Sequence, residues 1–292
     1  MRALLAALLA ATLLTADSGS RLVPLPDPGP FFSEVRKRLA SNETIQSRFS
    51  YKERSTRLSL NPFGRMGTGP VTVYEVYPAV DSDLTYRRAI ERDGQPVPPE
   101  DIAAADREHL RKYRDWQRRM AREGRTEREE RLRREAAQRR TDEEQATEAL
   151  GLLDFTIERR ERHEGHPAVV VTFRPRPGAQ PRTREGRVAG SFAGTVWIHE
   201  HEFEVMRLEA RAVEDTTFGF GLLARLHEGA TAVFERRRIL DTWLPVESRF
   251  DGTGRALLFR KVEFHYLRQF FDYQPWDPSR LPEILGAAQG SR

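Results

Sequence analysis

The sequence has 292 residues, and its 38% hydrophobic content is enough for a substantial core in one large β domain or two ordinary domains, with one as the default. Its 48 basic and 44 acidic residues are interspersed, which argues against a nucleic-acid-binding protein, because such a protein carries a one-signed basic stripe. Cysteine is absent, which excludes disulfide bonds and thiolate metal sites.

The N-terminus predicts a secretory signal peptide over residues 1–16. Met1-Arg2 supplies one positive charge, an apolar run of Ala and Leu follows, and small residues precede Asp17. The run is too short to span a bilayer as an ordinary helix, so we expect no transmembrane span; a buried N-terminal helix is the alternative. We expect an exported protein of a bacterial periplasm. Residues 17–30 contain four prolines and predict an extended linker.

Residues 31–292 predict a single domain that is mainly β. The domain opens with a short amphipathic helix, because Phe32, Val35 and Leu39 share one helical stripe and Ser33 can cap its N-terminus. Alternating strand patterns follow, of which residues 71–77 are the clearest.

A charged helical insertion is predicted within this domain over residues 98–150. The segment has almost no β-branched residues, and its acidic first turn is typical of a helix N-terminus. Leu110 and Tyr113 belong to an apolar stripe in its first half, and Gly124 marks a break. Residues 125–144 offer little to bury, so we expect them to project into solvent, stabilised by Glu–Arg pairs worth about 0.3–0.5 kcal/mol each. A basic helix for DNA or a membrane is disfavoured, because acidic residues match the basic ones.

From residue 152 to about 273 the pattern is again β, and the short connections imply antiparallel order. Glu164-Gly165 is a hairpin turn, and the glycine-rich residues 251–254 predict another tight turn. Residues 222–226 predict a strand, and Phe218, Phe220 and Leu222 share one parity, with glycines between them. The whole region is therefore predicted to be a meander.

Catalytic signatures are not found. No nucleophile elbow, phosphate loop or dinucleotide fingerprint is present, so the sequence indicates neither an enzyme nor a cofactor. His199 and His201 flank Glu200 and could ligate one metal ion in a hydrolase, since alternate residues of a strand share a face. This motif lies where a hairpin must turn, however, and no third ligand is fixed nearby. Polar turn residues are therefore favoured, and no metal is expected.

Large apolar side chains at both parities are the most informative feature. Within residues 194–213, Val196 and Ile198 alternate with Trp197 rather than with polar residues. A strand with one wet face should alternate between apolar and polar residues. Two arrangements would explain the pattern: two sheets pack together, or one strongly curved sheet wraps an apolar hollow that helices close.

The C-terminal half resembles outer-membrane lipoprotein carrier and sorting proteins of the LolA-like superfamily, whose members repeat a Gly-x-Val-Trp-Ile-Asp hairpin and a later Trp-Leu-Pro strand start. The matching residues here are Gly194, Val196, Trp197, Ile198, Trp243, Leu244 and Pro245. His199 stands where the family usually has Asp. With the early segments "VTVYEVYP" and "RRAIERDGQPV", the resemblance covers about two thirds of the chain.

The resemblance implies an α+β fold, mainly antiparallel β, in which a half-closed, curved β barrel has helices covering its concave side. It also implies a periplasmic, non-enzymatic carrier that shelters the acyl chains of a lipid or a lipid-modified polypeptide. Such shelter gains about 0.8 kcal/mol per methylene, so no catalytic group is needed. The residues expected to line the hollow are Val196, Trp197, Met206, Leu208, Phe218, Phe220, Leu222, Trp243, Phe264 and Tyr266.

A second function stays open from the sequence. An envelope sensor or adaptor of the same fold would bind an envelope protein partner through the helical insertion, with no nucleic acid involved.

Overall fold

One antiparallel sheet of 13 strands organises the computed structural model, which describes residues 24–60, 66–79, 81–218, 224–256 and 260–287. The predicted signal peptide, residues 17–23 of the predicted linker, Phe220 and Leu222 lie outside these residues. The strands are β1 (Phe49–Leu60), β2 (Met66–Tyr77), β3 (Tyr86–Arg92), β4 (Gln95–Pro96), β5 (Leu153–His163), β6 (His166–Pro175), β7 (Phe192–His199), β8 (Val205–Ala212), β9 (Thr216–Phe218), β10 (Ala224–Leu226), β11 (Thr231–Ile239), β12 (Thr242–Ala256) and β13 (Arg260–Pro275).

Five α-helices accompany the sheet within the described residues. They are α1 (Pro28–Gln46), α2 (Pro99–Arg122), α3 (Arg125–Gly151), α4 (Arg184–Ala189) and α5 (Leu281–Ala287). Asp27 caps α1, since its Oδ1 accepts a hydrogen bond of 3.0 Å from the Gly29 backbone N–H. The predicted cap at Ser33 is therefore wrong, because Pro28 suits the first helical position and starts the helix earlier.

The strand order is β4-β3-β2-β1-β13-β12-β11-β8-β7-β6-β5, with β10 pairing β12 and β9 pairing β10. The edge strands β4 and β5 do not pair with each other in the described part of the chain, so the sheet stays open and the predicted unclosed antiparallel fold is confirmed. The simple meander predicted for residues 152–273 is wrong at one place, because β11 pairs with β8 whereas β9 and β10 lie off this path. β1, which precedes this region, pairs with β13.

Register shifts bend the sheet. They occur in several pairs of neighbouring strands, including β1 with β2, β7 with β8 and β11 with β12. Each shift places an extra residue in one strand, which increases the local twist and the curvature.

The predicted turn at residues 251–254 is wrong, because these residues continue β12. Gly252 and Gly254 pair with Phe264 and Val262 of β13 in unbroken register. A Cβ on Gly252 would lie 2.9 Å from the Ala230 Cβ, so close packing between strands, not a turn, requires glycine there. Phe218 and residues 224–226 do not share one strand, since β9 and β10 run antiparallel to each other.

The helical segment joins the two edges of the sheet. α2 and α3 follow β4 and precede β5, with the break at Glu123-Gly124. α2 packs on β3 through Asp106, which is fully buried and accepts a hydrogen bond of 2.6 Å from the Tyr86 hydroxyl. Burial and this hydrogen bond raise the pKa of Tyr86, which keeps it a neutral donor.

α2 covers the convex face of the sheet. Strand pairing places Phe250, Tyr266 and Glu53 on one face, which is the concave face. Glu75 and Arg88 have the opposite parity and belong to the face that α2 contacts. The convex face around β3 is therefore covered by α2.

Candidate functional site: an apolar hollow

A row of small residues crosses the middle of the concave face. Gly194, Ala210 and Ala232 lie side by side on β7, β8 and β11. Aromatic side chains extend the row on both sides, with Phe173 opposite Gly194 and Phe250 opposite Ala232. The large aromatic side chains stand higher than the small residues between them. The row therefore has a trough at its centre, because no other side chain fills the space above the small residues.

This trough is an apolar cavity of about 690 Å³, within the ordinary range of ligand pockets. Its wall is almost entirely hydrocarbon, with Arg236 and Gln46 as the polar exceptions. The remaining lining residues are Leu39, Leu150, Leu153, Phe155, Phe173, Val188, Ala189, Phe192, Val196, Val205, Leu208, Ala210, Ala232, Phe234, Trp243, Pro245 and Phe250. We call this cavity the hollow.

A β-bulge in β8 shapes one wall of the hollow. The register pairs Trp197 with Arg207 but Ile198 with Val205, which leaves Met206 without an opposite residue. Because of this extra residue, Val205 and Leu208 both face the hollow although they have opposite parity. A parity rule applied to the sequence alone cannot reproduce this arrangement.

Helix α1 covers part of the concave face. Phe31 and Val35 are buried in the core that includes Val196 and Ile198. Phe32 packs on Phe155 with ring centroids 5.6 Å apart. A second cavity of about 770 Å³ lies beside α1 and shares several lining residues with the hollow.

The cover over the hollow is incomplete. Leu39 of α1 lines both cavities and remains 42% exposed, although it is apolar. The last turn of α3 contributes Leu150, and α4 contributes Val188 and Ala189. Three helices from distant parts of the sequence thus surround an apolar space that the chain does not fill.

One end of the hollow is polar. Arg236 is 5% exposed, its Nη1 lies 2.7 Å from Oε2 of Glu204, and its Nη2 donates to the Trp243 carbonyl. Arg236 and Trp243 also line a smaller polar cavity of about 330 Å³. Arg236 is held in one orientation by these bonds and forms a buried ion pair with Glu204, so this end of the hollow is polar.

The residues predicted from the sequence divide into several groups. Val196, Leu208 and Trp243 line the hollow, and Tyr266 stacks on its lining residue Phe250 with centroids 5.9 Å apart. Two predicted residues, Trp197 and Met206, lie outside it. Phe218 and Phe264 belong to described strands, but their side chains are not among those described, and Phe220 and Leu222 are outside the described residues altogether.

Trp197 has another role on the convex face. It follows hollow-lining Val196 in β7, so its side chain points to the opposite face. Its indole N–H donates to Oε1 of Glu161 at 2.6 Å, and Met206 packs in the same cluster. On the convex face around β7 and β8, Trp197 and charged side chains cover the sheet. One example is Arg207, whose Nη1 lies 2.6 Å from Oε2 of Glu235.

His199 caps the turn between β7 and β8. Its Nδ1 accepts backbone hydrogen bonds from His201 at 3.3 Å and from Glu202 at 3.1 Å. An Asp side chain can accept in the same way, which explains physically how His replaces the Asp of the resembled hairpin. Burial lowers the pKa of His199, and its neutral form is required because a protonated Nδ1 cannot accept.

The turn therefore uses the histidines as polar turn residues. Within the described residues, no group of three or more His, Cys, Asp or Glu side chains is placed to hold a metal ion. Glu202 instead accepts from the Trp243 indole N–H at 2.7 Å and pairs with Arg238. This places the turn next to the rim of the hollow, where it orients Trp243.

Sequence reasoning missed Gly194, Ala210 and Ala232 as functional residues, although Gly194 was noticed as part of a motif. The available signal was the small residue at the inward parity of "FAGTV", "LEARA" and "TAVFE". A Cβ on Gly194 would lie 2.8 Å from a Phe173 ring carbon and overlap the Glu209 carbonyl oxygen. Glycine at position 194 thus leaves room for the Phe173 ring, which lines the hollow.

Among the described residues, no helix combines the length and apolar character needed to cross a bilayer.

No family model matches the sequence, and no curated protein matches it. The chain is similar to a solved structure of a DUF1329 family protein from Desulfovibrio piger, at 9% identity and a TM-score of 0.29, over 86% of this chain and 97% of that chain. It is also similar to a putative outer membrane lipoprotein-sorting protein domain from Vibrio parahaemolyticus, at 11% identity and a TM-score of 0.30, over 87% and 97%. MucB in complex with MucA(peri) matches at 10% identity and a TM-score of 0.23, over 84% and 99%.

Proposed function

We propose that the protein is a periplasmic, non-enzymatic binding protein that holds an acyl chain of a lipid or a lipid-modified polypeptide in the hollow. The observation that carries the proposal is the cavity of about 690 Å³ with a wall of hydrocarbon side chains. Burying an acyl chain gains about 0.8 kcal/mol per methylene, and ten methylenes would give about 8 kcal/mol before the cost of ordering the chain. A micromolar Kd corresponds to about 8 kcal/mol net, so the burial of hydrocarbon supplies the favourable term from which the costs of association and ordering are subtracted.

The polar end of the hollow favours an amphiphile over a plain hydrocarbon. Arg236 and its ion-pair partner Glu204 line the smaller polar cavity at this end, together with Glu202, Asp241, Arg38 and Arg48. An acyl chain in the hollow with its polar group toward Arg236 leaves both parts of the ligand in matching surroundings.

The test is uptake of a fluorescent long-chain fatty acid by the purified mature protein, combined with native mass spectrometry of the protein as isolated. The proposal predicts saturable binding that unlabelled fatty acid displaces, together with adducts of lipid mass. A protein that stays empty and binds no probe would refute it. Cell fractionation tests the compartment, and recovery with cytoplasmic markers would contradict export.

A further inference from the structure

A line of arginines runs along the exposed flank of α2. Arg107, Arg111, Arg114 and Arg118 follow one another at intervals of four, three and four residues, which places them on one helical line. All four side chains are exposed. At 1.5 Å per residue the line is roughly 16 Å long.

Few acidic side chains compensate this line. From Arg107 to Arg122, α2 has seven basic residues and only two acidic ones, Glu108 and Asp115. Glu108 forms its ion pair with Lys112 at 2.9 Å, and Asp115 pairs with Arg118. Within the described residues, no ion pair joins the other three arginines of the line to an acid. Basic and acidic residues are interspersed along the sequence, but in the folded helix these arginines lie on one side of α2.

The arginines border a depression with an apolar floor. Its volume is about 700 Å³, and Leu110, Gln117 and Ala121 line it together with the four arginines. Leu110 is 4% exposed and belongs to the core that anchors α2 on the sheet. We call this depression the arginine groove.

We propose that the arginine groove binds an acidic segment of a partner polypeptide. The unpaired guanidinium groups supply charge complementarity for carboxylates, and the floor accepts an apolar side chain between them. A membrane surface would instead require a broad apolar face free to enter the lipid, whereas Tyr113 and Trp116 of α2 already pack against the core. The concave shape and the narrow floor therefore fit one extended or helical segment.

The arginine groove is separate from the hollow. It lies on α2, which covers the convex face, whereas the hollow lies on the concave face. Peptide binding and acyl-chain binding can thus be measured independently. The inference holds whether or not the hollow takes a lipid.

The test uses the full mature protein and a fluorescent Glu-rich peptide with interspersed leucines. The triple variant Arg107→Gln/Arg111→Gln/Arg114→Gln should bind this peptide about tenfold more weakly than the parent protein. Binding should weaken as salt is raised, because the pairs are exposed to solvent. A peptide with Gln at every Glu position should not bind measurably. Unfolding curves check that the variant, which changes only exposed side chains, remains folded.

The matched control removes three charges elsewhere. Arg133→Gln/Arg134→Gln/Arg139→Gln on α3 changes exposed arginines outside the arginine groove and should bind the peptide within about twofold of the parent. Equal weakening by both triple variants would overturn the proposal, because net charge alone would then explain binding. Parent-like binding by the α2 variant would also overturn it. So would binding of phosphatidylglycerol vesicles, but not of the peptide, that depends on the α2 arginines.

Discussion

Filling the hollow should separate ligand binding from stability. Ala232 lies on the concave face between Ala210 and Phe250, and its half-buried methyl group lines the hollow. Ala232→Leu adds three carbon atoms to this floor, and each occupies space that a guest methylene would otherwise take. At about 0.8 kcal/mol per methylene, an acyl chain should lose about 2.4 kcal/mol, or roughly sixtyfold in affinity.

The same substitution should stabilise the empty protein. The added carbons bury apolar surface in a cavity that is already present, and cavity filling commonly adds about 0.5–2 kcal/mol to the free energy of unfolding. A variant that binds more weakly yet unfolds at higher denaturant concentration cannot be explained by misfolding. This pair of opposite changes is therefore the signature of an occupied hollow.

The assay is displacement of a fluorescent fatty acid, with urea unfolding measured on the same preparations. Ala193→Leu is the matched control, because Ala193 has the opposite parity from Gly194 and faces the convex side. The control should bind the fatty acid like the parent protein. Unchanged affinity in Ala232→Leu, or equal losses in both variants, would refute the reasoning.

Three further predictions follow from the contacts around the hollow and α2. His199 has a lowered pKa, so the free energy of unfolding should decrease as the pH falls below about 6.5, and His199→Asn should reduce this decrease in urea titrations; an unchanged pH dependence would contradict the cap. Gly194→Ala should destabilise the protein by about 1–3 kcal/mol because its Cβ collides with the Glu209 carbonyl oxygen and with the Phe173 ring, measured by thermal unfolding, and a neutral effect would disprove the close approach. Asp106→Ala should cost about 3 kcal/mol, since it leaves the Tyr86 hydroxyl buried without its acceptor, whereas an effect below about 0.5 kcal/mol would show that α2 is anchored elsewhere.

The architecture was predictable because its signals are repeated along the sequence. The alternating patterns indicated strands, and the change of composition after residue 98 indicated helices. Apolar residues at both parities around Trp197 indicated cover on both faces, but on the convex face Trp197 packs with Met206 and bonds to Glu161 of the sheet itself. Pairing between β1 and β13 was not predictable by the same reasoning, because no local pattern connects strands at opposite ends of the chain. Short connections favour neighbours, and distant pairs are decided by tertiary packing.

The hollow was harder to predict than the sheet. One bulge at Met206 puts Val205 on the same face as Leu208 despite their opposite parity, and a single register step exchanges the two faces. Large side chains were taken as lining residues, whereas the space exists because Gly194, Ala210 and Ala232 are small. His199 could be placed in a turn from sequence, but its acceptor role needed the positions of the backbone N–H groups.

Isotope-filtered NMR tests the central claim most directly. A carbon-13-labelled fatty acid is added to the mature protein, and contacts from its chain to protein methyl groups are recorded. An occupied hollow predicts contacts to the methyl groups of Ala210 and Ala232 and none to Ala193 on the convex face. Chain contacts confined to convex-face methyl groups, or none at saturating fatty acid, would contradict an acyl-binding hollow.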